Sequence, residues 1–179
     1  MLHIDFKYGD ALTRFRAVIC NKDARMMSTT TEPQVTGLTP EERHAVETFY
    51  RAFEGKPDLL DTAVTEDWQD IPLAPHQEPG RDGMKPLIAG FAAAFPDAKV
   101  TILEIVGAPG RAAVRGLISG THRGEWFGIA PTGKPFEMPI HEFHYIANGR
   151  LTHTWHLEDW FGWLLQVGAW PVGKQGAAQ

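Results

Sequence analysis

The dipeptide Asn148-Gly149 stands between two strand-like runs, 134–147 and 150–159, and constrains the fold more than any other stretch. A type I′ turn needs positive φ at both central residues, and Asn-Gly supplies it, so the sequence predicts a two-residue β-hairpin with Ala147 opposite Arg150. Pairs then run outward as Ile146/Leu151, Tyr145/Thr152, His144/His153, Phe143/Thr154, Glu142/Trp155, His141/His156 and Ile140/Leu157. Alternate pairs share a face. One face is expected to carry Ile140, Glu142, His144, Ile146, Leu151, His153, Trp155 and Leu157, and the other His141, Phe143, Tyr145, Thr152, Thr154 and His156. A four-residue loop preserves this division, whereas a three-residue bulged loop changes which residues share a face.

The first face is aliphatic at its ends, with a carboxylate, two imidazoles and an indole between them. That is the pattern of an apolar pocket with a few convergent polar groups. A carboxylate in such a cavity is desolvated, so its proton affinity rises, while a neighbouring imidazolium lowers it again. Glu142 is therefore a candidate general acid/base, expected to stay mostly ionised at neutral pH because His144 and His153 oppose the desolvation. Two other readings use the same residues: a satisfied buried polar cluster without chemistry, and a metal site formed by the histidines with Glu142. The second is a weak motif beside an HExxH helix, and no metal is expected.

Upstream, the periodicity is helical. In "LTPEERHAVETFYRAFEG", Thr39 is placed as N-cap, Pro40 at the first position, Glu42 to close a capping box and Gly55 as the stop. Ala45, Val46, Phe49, Tyr50 and Phe53 make one apolar face, from which Tyr50 and Phe53 are candidates to line a pocket. A short helix over 57–64 and a strand at "DWQDI" are expected next. A Pro-rich loop then leads to a helix over 81–95 with an apolar stripe of Met84, Leu87, Ile88 and Phe91. Strands are expected at 98–106, 111–122, 134–147 and 150–159, followed by a short helix or rim segment in "WFGWLLQVGAW". Helices first and sheet last imply an α+β fold, an antiparallel sheet with helices packed on one face.

Residues 1–36 lack sustained periodicity and close in "MSTTTEPQVTG", so they are read as a flexible or upstream N-terminal extension, with Met26 or Met27 a possible translation start. Residues 37–170 form the single expected domain, and 171–179 a flexible tail. A net charge of -5 leaves no basic excess for phosphates, so nucleic acid is not an expected partner. No apolar run reaches a membrane span, no secretory signal is evident, and the single cysteine, Cys20, fits a reducing cytoplasm. Neither a dinucleotide fingerprint, a Walker loop, a GxSxG elbow nor a CxxC occurs, so no nucleotide cofactor is expected. Weaker candidates are His122, at a strand end before a Gly-rich loop, Asp70 and His76 around the Pro-rich loop, and Asp159.

The segments "ERHAVETFYRAFEG", "GRDGMKPLIAGFAAAFPDAKVTI", "SGTHRGEWFGIAPTGKPFEM" and "NGRLTHTWHLEDWFGWLLQVGA" together resemble the SnoaL-like polyketide cyclases and ester cyclases of the nuclear-transport-factor-two-like superfamily, over roughly residues 40–168. The resemblance implies a cone in which a strongly curved antiparallel sheet wraps around the helices and encloses a pocket. It implies cofactor-free acid/base chemistry by an aspartate on the strand before the last hairpin turn, a position that holds Glu142 here. It also implies a pocket histidine at His122 and a homodimer formed through the convex sheet face, where Phe143, Tyr145 and His156 are expected. His144 and His153 are this chain's own addition.

The resulting expectation is a cofactor-free cyclase or isomerase acting on a small, largely apolar carbonyl substrate, with Glu142 and His122 catalytic. His144, His153, Trp155, Asp70, Tyr50 and Phe53 are the expected substrate contacts. The alternative is a non-catalytic small-molecule-binding domain of the same fold.

Overall fold

The computed structural model describes residues 37–170. The expectations for residues 1–36, including Cys20 and a start at Met26 or Met27, and for the tail 171–179 lie outside the described residues. Helix α1 runs Pro40–Ala52, a single 3-10 turn covers Pro57–Leu59, and α2 is Leu60–Ala63. Strand β1, Val64–Ile71, precedes α3, Arg81–Ala94. Four strands follow, β2 Lys99–Ala108, β3 Arg111–Thr121, β4 Pro135–Ala147 and β5 Arg150–Glu158, and α4, Trp160–Val167, closes the fold.

The capping box at the start of α1 is formed: Glu42 N–H donates to Thr39 Oγ1 at 3.1 Å and Thr39 N–H to Glu42 Oε2 at 2.8 Å. The second oxygen of Glu42 accepts from Gly110 N–H at 2.9 Å, which ties the helix start to the β2–β3 turn. The helix stops at Ala52, earlier than the Gly55 signal, and Gly55 instead takes a left-handed conformation in the following turn.

The five strands form one curved sheet in the order β1-β5-β4-β3-β2. All neighbours are antiparallel except β1 and β5, which are parallel, a departure from the all-antiparallel expectation. A whole helix and three strands separate β1 from β5, so no hairpin dictates their relative direction. In β4 the alternation is complete, every even residue from Phe136 to Ile146 being buried and every odd one from Pro135 to Ala147 exposed. The inner face of the sheet and the apolar faces of α1 and α3 form one core around Phe49, Trp68, Ile88, Met138, Ile140 and Leu151. Among the described residues no helix is long and apolar enough to cross a membrane.

The hairpin turn is as expected, with Asn148 and Gly149 both at positive φ and Ala147 paired with Arg150. One step further the register shifts. Ile146 pairs with Leu151, but Tyr145 pairs with His153, leaving Thr152 as an extra residue in β5. A strand's side chains alternate faces, so this bulge turns every later residue of β5 over. Thr154, His156 and Glu158 join Glu142 and His144 inside the sheet, while His153, Trp155 and Leu157 pass to the outside with Phe143 and Tyr145.

Candidate active site

Glu142 enters from the middle of β4, 7% exposed, and its Oε2 accepts from the Tyr50 hydroxyl of α1 at 3.0 Å. The same hydroxyl lies 2.8 Å from His144 Nε2, two residues along β4 on the same face. His144 Nδ1 is 3.0 Å from Thr154 Oγ1 of β5, which also accepts from Trp68 Nε1–H of β1 at 3.0 Å. Three strands and a helix thus contribute one continuous buried polar row. It exists because Trp68 and Asp70, Glu142 and His144, and Thr154 and His156 are each i, i+2 pairs pointing inward.

A second polar group adjoins it. His156 Nδ1 lies 2.8 Å from Glu158 Oε1, and its Nε2 is 2.8 Å from the Pro72 carbonyl and 3.4 Å from Asp70 Oδ1. Asp70 Oδ2 accepts from Gln77 Nε2–H at 2.9 Å. Burial alone would lower the proton affinity of His156, but the Glu158 hydrogen bond and the charges of Glu158 and Asp70 outweigh it and raise its pKa to about 9. Burial raises that of Asp70, opposed by His156 and Gln77.

Glu142 responds most strongly. Burial, reinforced by the nearby Glu158 charge, pushes its carboxyl up to about 8 against the opposing Tyr50 hydrogen bond and His156 charge. The expectation that it stays mostly ionised at neutral pH is therefore overturned. Its intended counter-charges are missing: His153 is outside the sheet, and burial together with the His156 cation lowers His144 to about 3 and keeps it neutral. Burial and the Glu142 charge raise the Tyr50 phenol well above its ordinary range.

These groups face an inner chamber of about 60 Å³ lined by Tyr50, Phe53, Asp70, Glu142, Thr154 and His156 among apolar neighbours. It adjoins a larger cavity of about 370 Å³ that shares Phe53, Asp70, His156 and Glu158 and continues between Leu73, Leu87, Phe91, Trp126, Phe127 and Trp160. Tyr50 occupies Oε2 of Glu142, which lines the chamber, and Oε1 has no hydrogen-bond partner among the described residues. The site is a polar floor beneath an apolar, aromatic mouth.

The structure brings Glu142, His144, Tyr50, Phe53 and Asp70 together and separates three other expected site residues from them. His153 and Trp155 stack on each other at 5.6 Å between ring centroids, with Tyr145 4.6 Å from Trp155, on the outer face. His122 does not reach the pocket. It is fully buried beside Phe95 and Trp163, with Nδ1 3.2 Å from Thr132 Oγ1, and its backbone pairs with Gly133 and Lys134 to close the 122–134 loop. His156, expected on the convex face, is inside. Trp68, Thr154 and Glu158 were not singled out by the sequence. The i, i+2 spacing of Trp68 and Asp70 could have flagged the former, but no local signal marks the bulge that brings in the other two. Among the described residues no three His, Cys, Asp or Glu side chains converge as metal ligands would.

A curved sheet closed over helices around a buried carboxyl and an apolar cavity defines an α+β cone with an internal cavity. The chain belongs to the SnoaL-like polyketide cyclase family, whose model matches residues 44–167. No curated protein matches it. Among solved structures it is similar to TsrD from Streptomyces laurentii, with 27% identity and a TM-score of 0.68 over 74% of this chain and 99% of that one. It is also similar to IdmH from Streptomyces antibioticus, provisionally described as a polyketide cyclase, with 28% identity and a TM-score of 0.62 over 71% and 98% of the two chains. A protein from Bacillus cereus, provisionally described in the same way, is 26% identical with a TM-score of 0.63 over 72% of this chain and 80% of that one.

Proposed function

We propose that this protein is a cofactor-free cyclase or isomerase in which Glu142 is the general acid/base acting on a small, largely apolar carbonyl compound. The observation that carries the reading is the Glu142 carboxyl itself: buried at the chamber wall, with a pKa of about 8, one oxygen held by Tyr50 and the other without a hydrogen-bond partner among the described residues. A carboxyl poised near the working pH both takes and returns protons. The ionised form takes a proton from the carbon next to a carbonyl, leaving an enolate. In a cyclisation that carbon forms a bond to a second carbonyl carbon of the same molecule, and the alkoxide produced is protonated by the Glu142 carboxylic acid, which restores the carboxylate.

Both N–H groups of His156 are already engaged, so it contributes charge rather than a free hydrogen bond: its cation beside the chamber favours the developing oxyanion. Phe53 and Asp70 contact substrate at the junction of the two cavities, and the aromatic mouth takes its apolar body. On the same reading the protein works in the cytoplasm, in keeping with its single cysteine, and as a homodimer through the outer sheet face, where Phe143 is 61% and Leu157 71% exposed.

The test begins with a panel of aromatic and polyketide-like ketones, from which ligands are found by the rise in melting temperature on binding. Glu142→Gln should then retain binding and lose turnover by roughly 10²–10⁴-fold. Full turnover in that variant would move the acid/base role to another residue. Ligands that bind and are never converted would favour the binding-domain alternative.

A further inference from the structure

The buried row behind Glu142 can be assigned proton by proton. Trp68 Nε1–H has no acceptor capacity, so at its 3.0 Å contact Thr154 Oγ1 must accept. Thr154 is 1% exposed, and among the described residues the remaining hydrogen-bonding neighbour of its hydroxyl is His144 Nδ1 at 3.0 Å. If Nδ1 carried a proton it would donate to Thr154, and the threonine's own hydrogen would be buried without an acceptor, which costs more than a made hydrogen bond contributes. The threonine therefore donates to Nδ1. A neutral His144 then carries its proton on Nε2, which donates to the Tyr50 oxygen at 2.8 Å. The Tyr50 hydrogen is left for Glu142 Oε2 at 3.0 Å.

Building on the acid/base reading of Glu142, we propose that Trp68, Thr154, His144 and Tyr50 are positioning residues forming a one-way donor chain, which holds Oε2 of Glu142 as a fixed acceptor and makes Oε1 the atom that exchanges the proton with substrate. Each donor is oriented by the one behind it, so the chain's direction originates at an indole that cannot reverse. Aimed at the carboxylate, it favours the anion and offsets part of the desolvation. It also holds one oxygen in place while the other reacts, so the proton does not exchange between the two ends of the carboxyl. The titratable groups outside the row that face Glu142 or its neighbours are Asp70 from β1 and His156 and Glu158 from β5; Tyr50 from α1 is itself the last link. The elements β2, β3 and α3 contribute only Val100, Ile118 and Met84 to the chamber.

The test needs no substrate. In full-length protein with ¹⁵N-labelled histidine, His144 should show a protonated Nε2 and an unprotonated Nδ1 at every pH from about 5 to 9, the neutral form that its burial imposes. A protonated Nδ1 at neutral pH would overturn the proposal, even if every variant failed to fold. Thr154→Val removes the donor to Nδ1 and leaves that nitrogen facing a methyl group, so Nδ1 should stay unprotonated while its ¹⁵N shift moves toward that of a nitrogen that accepts no hydrogen bond. Thr154→Ser should keep the wild-type shift; an Nδ1 shift unmoved by valine would also overturn the proposal. Tyr50→Phe should raise the proton affinity of Glu142 roughly tenfold, read from the titration of a ¹³C-labelled carboxyl. An unmoved titration would show that Tyr50 only fills space. These readouts are independent of turnover, so a Glu142→Gln variant that keeps activity would defeat the acid/base reading without altering them.

Discussion

Glu142 and His156 are register partners across β4 and β5, which sets a carboxyl that burial keeps protonated up to about pH 8 beside an imidazolium that keeps its proton up to about pH 9. At neutral pH the site therefore holds its proton on the carboxyl and its positive charge on the histidine. The order of the two titrations has consequences for stability as well as for rate.

The folded-state pKa of Glu142, about 8, lies above the roughly 4.3 of an unfolded glutamate. Between these values the folded state binds more protons than the unfolded chain, so the contribution of Glu142 to stability is fully present below about pH 4 and is lost as pH rises through 8. Glu142→Gln should match the wild type in denaturant unfolding near pH 4–5 and exceed it near pH 9 by on the order of a few kcal/mol. A difference that does not grow with pH would show that the carboxyl is not desolvated. Turnover by the base form should rise with pH over the same range and level off above about 8.

His156 also has a raised folded-state pKa, and the sign is again that of a stabilisation lost on the alkaline side. Its contribution is complete below about pH 6.5, the value of a free imidazole, and disappears as pH rises through about 9. His156→Phe leaves Asp70 and Glu158 without the cation between them and should cost about 2–4 kcal/mol at pH 7, with the deficit narrowing above pH 9. The same variant should move the Glu142 titration upward, since the His156 charge opposes the protonation of Glu142.

Phe127 is 58% exposed at the mouth of the larger cavity, with its ring 4.9 Å from that of Trp160. Phe127→Ala removes little buried surface, so stability should change by less than about 1 kcal/mol. On the proposed function, KM should rise several-fold with kcat nearly unchanged, the mark of a contact made equally to bound substrate and transition state. A fall in kcat alone would place Phe127 in the chemistry instead.

The outer sheet face leaves Phe143, Tyr145 and Leu157 exposed side by side on β4 and β5, a patch that a second copy of the chain would cover. Phe143→Glu with Leu157→Glu should convert a dimer to monomer in sedimentation velocity while the inner cavity keeps its ligand affinity. Wild-type protein that sediments as a monomer at every concentration would remove the homodimer from the proposed function.

Local chemistry written in consecutive residues is legible in the amino-acid sequence itself. The Thr39–Glu42 cap, the Asn148-Gly149 turn and the alternation of β4 each depend on neighbours in the chain, and from them come the α+β class, the helix faces and the inward direction of Glu142 and His144. Tertiary structure decided the other half of the site. One extra residue at Thr152 exchanged His153 and Trp155 for Thr154 and His156. Neither set is marked locally, and the misplaced one, with Trp155 and Leu157, is the more apolar and so the natural choice for an interior. His122 likewise entered the core because Phe95, Trp163 and the returning 122–134 loop enclose it, contacts made by residues far apart in sequence. Capping, turn conformation and alternation are short-range steric and hydrogen-bonding rules, so the sequence alone determines them; a register shift depends on how a whole strand packs against its neighbours, and only the assembled sheet decides it.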